Sequence, residues 1–251
     1  MSGHSHWATI RRKKGAADAK RGQLFTRLAR EIVIAAREGG SDPESNMRLA
    51  YAVDKARANN MPKDNIERAI KRGSGESKDS IELVEITYEG YGPHGIAMLF
   101  SCVTDNRNRT ISEIRHLLSR SGGSMSEAGS VSWQFKRISY FAFPLEGHDM
   151  DKIFELAVEA GADDVTFEDG SVEIFGPVES FKEIGDAIKA AHILPEEAEL
   201  RFIPNNETEL PADHALQVIR LVEALEELDD VQSVYTTLSI SDEVLAQLEE
   251  A

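Results

Sequence analysis

Val165-Thr166-Phe167-Glu168-Asp169-Gly170-Ser171-Val172-Glu173-Ile174 reads as a complete β-hairpin. Val165 and Phe167 on one side of Asp169-Gly170, and Val172 and Ile174 on the other, alternate with polar residues as two half-buried strands should. Asp-Gly supplies the positive φ angles that a two-residue connection requires. Outward from the hairpin, residues 138–143 read as a strand. Residues 150–160 read as a helix that turns Ile153, Phe154, Ala157 and Val158 inward. Downstream, Phe181, Ile184, Ala187 and Ile188 recur at helical spacing, and 199–203 is again strand-like. The order is βαββαβ, the ferredoxin-like unit, and it assigns residues 136–205 to one domain.

On either side of that unit lies an incomplete one. Val84, Ile86 and Tyr88 alternate with polar residues, Gly90 to Gly95 turn the chain, and 96–103 is an apolar strand. Asp105-Asn106 then cap a helix through Ile111, Ile114, Leu117 and Leu118 that stops at Gly122-Gly123, and 131–135 reads as a further strand. A second helix and a closing strand are missing here, and both occur after residue 205. Val218, Leu221, Val222, Leu225 and Leu228 form one helical stripe, and 231–238 is a strand. Residues 79–135 plus 206–251 are therefore expected to form a second, discontinuous ferredoxin-like α/β domain with 136–205 inserted in it.

Residues 1–78 carry helical periodicity only. Leu24, Phe25, Leu28, Ile32 and Ala36 share one face up to Gly39-Gly40, Asp42-Pro43 reads as a second helix start, and Pro62 opens a third that Gly73 closes. Gly73-Ser74-Gly75 begins a linker. The fold class is thus multi-domain α+β, with an N-terminal all-α helical module followed by two ferredoxin-like α/β domains, one inserted in the other.

Charge is segregated along this plan. Residues 1–78 hold 17 Lys and Arg against 9 Asp and Glu, a local +8, whereas the remaining 173 hold 11 against 35, a local −24. Such a split points to a polyanion-facing end and a repelling body. Lys13, Lys20 and Arg27 recur every seven residues, as do Lys14 and Arg21, which sets cations beside the apolar face. The candidate nucleic-acid contacts are His4, His6, Trp7, Arg11, Arg12, Lys13, Lys14, Lys20, Arg21, Arg27, Arg30, Lys63, Arg68, Lys71 and Arg72, with Arg107 and Arg109 at a helix start suited to an anion. Phosphates require several cations, and an aromatic ring such as Trp7 can stack on a base. The competing reading is a protein-interaction adaptor whose acidic domains bind a protein partner while the basic end is merely solvated.

Other chemistries find little support. Gly90-x-Gly92-x-x-Gly95 matches a dinucleotide fingerprint only in letters, since Pro93 lies inside it and a strand follows instead of a helix. His4 and His6 make two ligands without a third, and no nucleophile-and-base motif occurs, so no catalytic residue, metal or cofactor is expected and the protein is not read as an enzyme. One cysteine, Cys102, rules out an internal disulfide, and no apolar run is long enough for a membrane helix. A cytoplasmic location is expected.

Several stretches resemble the YebC family in combination. These are Ser2-Gly3-His4-Ser5-His6-Trp7 with Arg11 to Gly15, Asp18 to Arg21, Leu24-Phe25-Thr26 with Arg30-Glu31-Ile32, Asn60 to Ile70, Tyr88-Glu89-Gly90-Tyr91-Gly92-Pro93, Thr104 to Thr110, and Gly129-Ser130-Val131. His94 stands where many relatives carry glycine. The resemblance implies a cytoplasmic, non-enzymatic protein of three domains. It also implies DNA and/or ribosomal RNA as partner, for a DNA-binding transcriptional regulator and for a ribosome-associated factor that helps translation through proline-rich stretches.

Overall fold

Asn46 fixes the joint between the first two helices of the N-terminal module. In this computed structural model, which describes residues 20–76, 83–168 and 170–249 without the side chains of residues 20, 21, 242 and 249, helix α1 (Lys20–Gly39) is followed by α2 (Met47–Ala58) and α3 (Lys63–Gly73). The Asn46 carboxamide oxygen accepts from Leu49 N at 3.1 Å, capping α2, while its NH2 donates to the Ala35 and Gly40 carbonyls, both at 2.8 Å. One buried side chain thus satisfies the end of α1 and the start of α2. That corrects the expected start at Asp42-Pro43. Asp42 only closes a turn, accepting from Glu44 N at 3.0 Å.

The helices close on Leu28, Ile32, Val33 and Ala36 of α1, Leu49, Val53 and Ala56 of α2, and Ile66 and Ala69 of α3, all buried. Gly73 lets α3 approach α1, because a Cβ there would lie 2.4 Å from the Val33 carbonyl oxygen and 2.7 Å from Ala36 Cβ. Helix propensity would favour Gly73→Ala by about 1 kcal/mol, but overpacking against backbone costs about 1–3 kcal/mol. We expect net destabilisation, read as a lower denaturant midpoint.

Two four-stranded antiparallel sheets follow. The outer unit contains β1 (Val84–Tyr91), β2 (Ala97–Thr104), α4 (Arg107–Arg120) and β3 (Ser124–Ser126). The inserted unit contains β4 (Phe135–Pro144), α5 (Met150–Glu159), β5 (Asp164–Glu168), β6 (Ser171–Gly176), α6 (Phe181–Ala190) and β7 (Glu197–Pro204). The chain then returns as α7 (Ala212–Glu226), β8 (Val231–Thr236) and α8 (Asp242–Glu249). Strand order is β3-β1-β2-β8 in one sheet and β5-β6-β4-β7 in the other. The second order is that of a ferredoxin-like unit, and β8 joins the first sheet beside β2 (Phe100 opposite Val234) across the whole insertion. Glu168 faces Ser171 across the hairpin, where Gly170 has φ +75; Asp169 lies outside the described residues.

Three expectations change. Residues 132–134 form a short 3-10 turn, and the strand begins at Phe135 as part of β4, opposite Pro204; the third strand of the outer sheet is Ser124–Ser126 instead. The last strand stops at Thr236, and α8, which periodicity did not reveal, buries Val244 and Leu248 against the outer core. On α5, Ile153 and Ala157 are buried, but Phe154 and Val158 are 50% and 51% exposed. A sheet covered by two helices offers α5 a narrow contact, and that contact runs along the 153–157 line.

The helical module is packed on both units and is more than a tethered appendage. Leu83 and Val103 complete its core. Arg48 bridges Glu38 of α1 and Glu85 of β1. Toward the inserted unit, Tyr51 sits edge-on to Phe141 and Phe181, and its hydroxyl donates to the Gly185 carbonyl at 3.2 Å. Burial, with help from Asp186 and Asp54, pushes that phenol up to about 12. The two sheets meet through Ala97, Leu99, Val131, Phe135, Phe202 and Tyr235.

Candidate nucleic-acid interface

The cations proposed from sequence fall into three groups. His4, His6, Trp7, Arg11, Arg12, Lys13 and Lys14 lie outside the described residues, as do the side chains of Lys20 and Arg21 in the first turn of α1. Lys63, Arg68 and Lys71 are exposed on α3, and Arg107 is exposed at the start of α4. Lys63 is 86% exposed and only loosely paired with Glu67, at 3.6 Å; such a surface pair contributes little to stability. Arg72 is half-buried, and its Nε is shielded from solvent without a hydrogen-bond partner among the described residues. Arg27 is half-buried and already engaged.

The third group converges on one buried carboxylate, although Arg109 itself stays 41% exposed. Arg30 of α1 reaches Asp230 Oδ1 at 2.9 Å and also donates to the Asp229 carbonyl. Arg109 of α4 grips the same carboxylate, from Nη2 at 2.8 Å to Oδ2 and 2.9 Å to Oδ1 and from Nε at 3.2 Å to Oδ2, while Nη2 also bonds Asp105 at 2.8 Å. Thr110 and Thr104 hydroxyls donate to Asp230 Oδ2 at 2.7 and 3.1 Å. Asp230 is 1% exposed. Burial alone would raise its carboxyl, but Arg109, Thr110, Arg30 and Thr104 together hold it below the ordinary aspartate range. Here ion pairs to Asp230 lock α1, α4 and the turn before β8 together. Gln23 adds a bond to the Glu227 carbonyl at 3.3 Å. Sequence reading missed Asp230 because two adjacent aspartates before a strand look like an ordinary turn.

A second carboxylate was hidden by the strand alternation. Glu89 occupies the polar phase of β1 with Glu85 and Thr87, yet it is 7% exposed. It accepts from the backbone N–H groups of Gly129, Val131 and Ser132 at 2.7, 2.6 and 2.9 Å. Desolvation opposes ionisation, but these three donors hold the carboxyl below its usual range. Two of the stretches that carry the family resemblance, Tyr88 to Pro93 and Gly129 to Val131, thus meet in one contact. The loop it braces carries Trp133, 71% exposed, with its indole N–H on Ser130 O at 3.0 Å.

The glycines around β1 serve close packing. A Cβ at Gly90 would stand 2.7 Å from the Ser124 carbonyl oxygen, and one at Gly92 2.5 Å from Met98 Cε. His94 sits at φ +60, a conformation glycine adopts freely, with Nε2 3.0 Å from Gln217 Oε1 and its ring stacked on His214 at 3.7 Å. Cys102 is buried, and burial with Asp230 nearby pushes its thiol up to about 12, the condition of an inert core residue. Among the described residues, no group of three His, Cys, Asp or Glu is placed to hold a metal, and no helix is long and apolar enough to cross a membrane.

A family model described as the TACO1/YebC protein N-terminal domain matches residues 5–76, and one described as the TACO1/YebC second and third domain matches residues 83–238. A protein of Acidithiobacillus ferrooxidans named "Probable transcriptional regulatory protein" is 50% identical over 249 residues, 99% of both chains. One of Chlorobaculum tepidum with the same designation is 49% identical over 251 residues, the full length of both. Among solved structures, a conserved hypothetical protein from Aquifex aeolicus superposes with a TM-score of 0.82 at 40% identity, covering 91% of this chain and 94% of that one.

Proposed function

The chain belongs to the TACO1/YebC family, and from that premise we propose that it regulates gene expression by binding the phosphate backbone of nucleic acid through the cationic face of its helical module. The observation that carries this reading is the segregation of charge, +8 over residues 1–78 against −24 over the rest. The exposed Lys63, Arg68 and Lys71 on α3 and Arg107 at the start of α4 extend that positive surface onto the folded body. The names of the full-length relatives support the regulatory role.

Phosphate contacts by Lys and Arg release counterions, so affinity for a duplex or a structured RNA should fall with salt. For about six neutralised phosphates the slope of log affinity against log salt is about −5 on a duplex and about −4 on a single strand. A flat dependence would remove the electrostatic basis. Reversing Arg11, Arg12, Lys13 and Lys14 together to Glu is expected to weaken binding by more than tenfold. An unchanged affinity would favour an adaptor whose acidic units alone make the contacts.

The same surface serves two targets, and one comparison separates them. A transcriptional regulator retains promoter fragments at physiological salt with sequence preference. A ribosome-associated factor co-sediments with ribosomes and binds DNA weakly and without preference. The clamp of Arg30 and Arg109 on Asp230 also yields an expectation: because both arginines are paired with Asp230, Arg109→Gln should lower stability more than it lowers nucleic-acid affinity of the folded protein.

A further inference from the structure

We propose that the outward stripe of α5 is a docking surface for a basic, apolar-anchored segment of another protein. Met150, Phe154 and Val158 recur every four residues along one flank of α5 and are 47%, 50% and 51% exposed. Buried Ile153 and Ala157 already satisfy the core contact of this helix, so the stripe has no internal role. The opposite flank, with Lys152, Glu155, Leu156 and Glu159, faces Glu183 and Ala187 of α6 across a depression of about 430 Å³. The stripe therefore lies on the side turned away from α6, toward β5, which among the described residues pairs only with β6 and leaves its other edge open. Three large apolar side chains in one row on a helix surface mark an interaction site.

Charge selects the occupant. Residues 145–170 contain nine Asp and Glu and a single basic residue, Lys152. On a helical projection Asp151 borders the stripe on its solvent side. An acidic rim around an apolar row repels nucleic acid and acidic proteins. It matches the face of an amphipathic helix with Leu-type anchors and flanking Lys or Arg, the groove-and-anchor mode of recognition. This surface is separate from the cations of the helical module, so the inference stands independently of the nucleic-acid reading.

The test uses the full chain and a synthetic 18-residue peptide of leucine and lysine with helical period, with a leucine and glutamate peptide of the same pattern as control. Binding is followed by fluorescence anisotropy of the labelled peptide. The lysine peptide should bind, and Phe154→Gln or Val158→Gln, which leave charge unchanged, should each weaken it at least tenfold. Both positions are half exposed, and circular dichroism with a denaturation midpoint verifies that the variants fold. No binding overturns the proposal, as does equal binding of the glutamate peptide. Binding untouched by both substitutions shows attraction by charge alone and overturns it too. Self-association of the protein lost on Phe154→Gln, read by sedimentation velocity, would assign the stripe to a second copy and overturn it as well.

Discussion

Asp230→Ala is expected to lower stability by about 3 kcal/mol, and to do so through the joint between the helical module and the outer sheet. Removing one partner of a buried ion pair typically costs about 3–5 kcal/mol, because the remaining charge stays desolvated. Here Arg109 is 41% exposed and can recover water, whereas Arg30, at 16%, cannot easily do so. The lower end of that range is therefore appropriate. The Thr104 and Thr110 hydroxyls, both on residues with no exposure, lose their acceptor as well. Asp230→Asn should recover part of the loss, since its amide oxygen can still accept from one arginine. The measurement is chemical denaturation together with hydrogen exchange across α1. An exchange pattern unchanged in α1 would show that the clamp does not hold the module.

The pH dependence has a definite sign. The folded Asp230 carboxyl lies below its ordinary value, so its contribution is complete above the unfolded range near pH 4 and is lost as pH falls through the lower folded value. Glu89 behaves the same way. Acid should therefore loosen the joint at Asp230 and the loop at Gly129–Ser132 before it affects the apolar cores.

Glu89→Gln is the second large effect, about 2–3 kcal/mol. Three backbone N–H groups converge on the two carboxylate oxygens. Substituting one oxygen with NH2 sets a donor against donors, and hydrogen bonds to a charged acceptor are worth about 1.5–3 kcal/mol each. The loop reports on itself, because Trp133 is held to Ser130 within it. In a Trp7→Phe background, Trp133 is the only tryptophan. Its emission anisotropy should drop on Glu89→Gln, and an unaltered signal would mean that the loop is held elsewhere.

Much of the architecture is legible in local pattern. The Asp169-Gly170 hairpin with its flanking alternation specifies the inserted unit, and the missing helix and strand of residues 79–135 point across the insertion to α7 and β8. Apolar periodicity, with cap and stop residues at the ends of α3 and α4, identified α1, α3, α4 and α6, because helices that pack on one side write that side into the sequence. Where two readings shared one period, the pattern failed. Residues 131–135 and 138–143 looked like separate strands, yet the chain turns at 132–134 and then runs straight through Phe135–Pro144.

The candidate site was less legible. From its sequence alone the protein has a basic end, an acidic body, three units in a stated order and a set of cations that suit phosphate. These follow from composition and from periodicities of two and 3.6 residues, which are local properties of a chain. Tertiary structure alone decided which of those cations face outward: Lys63, Arg68, Lys71 and Arg107 are presented to solvent, while Arg30 and Arg109 are drawn onto Asp230, 200 and 121 residues away in the chain. It also decided that Glu89 is buried among amide donors and that Phe154 and Val158 face solvent. The physical reason is common to all three. Whether a charge is paired or an apolar side chain is covered depends on which distant segment packs against it, and no local spacing encodes that neighbour.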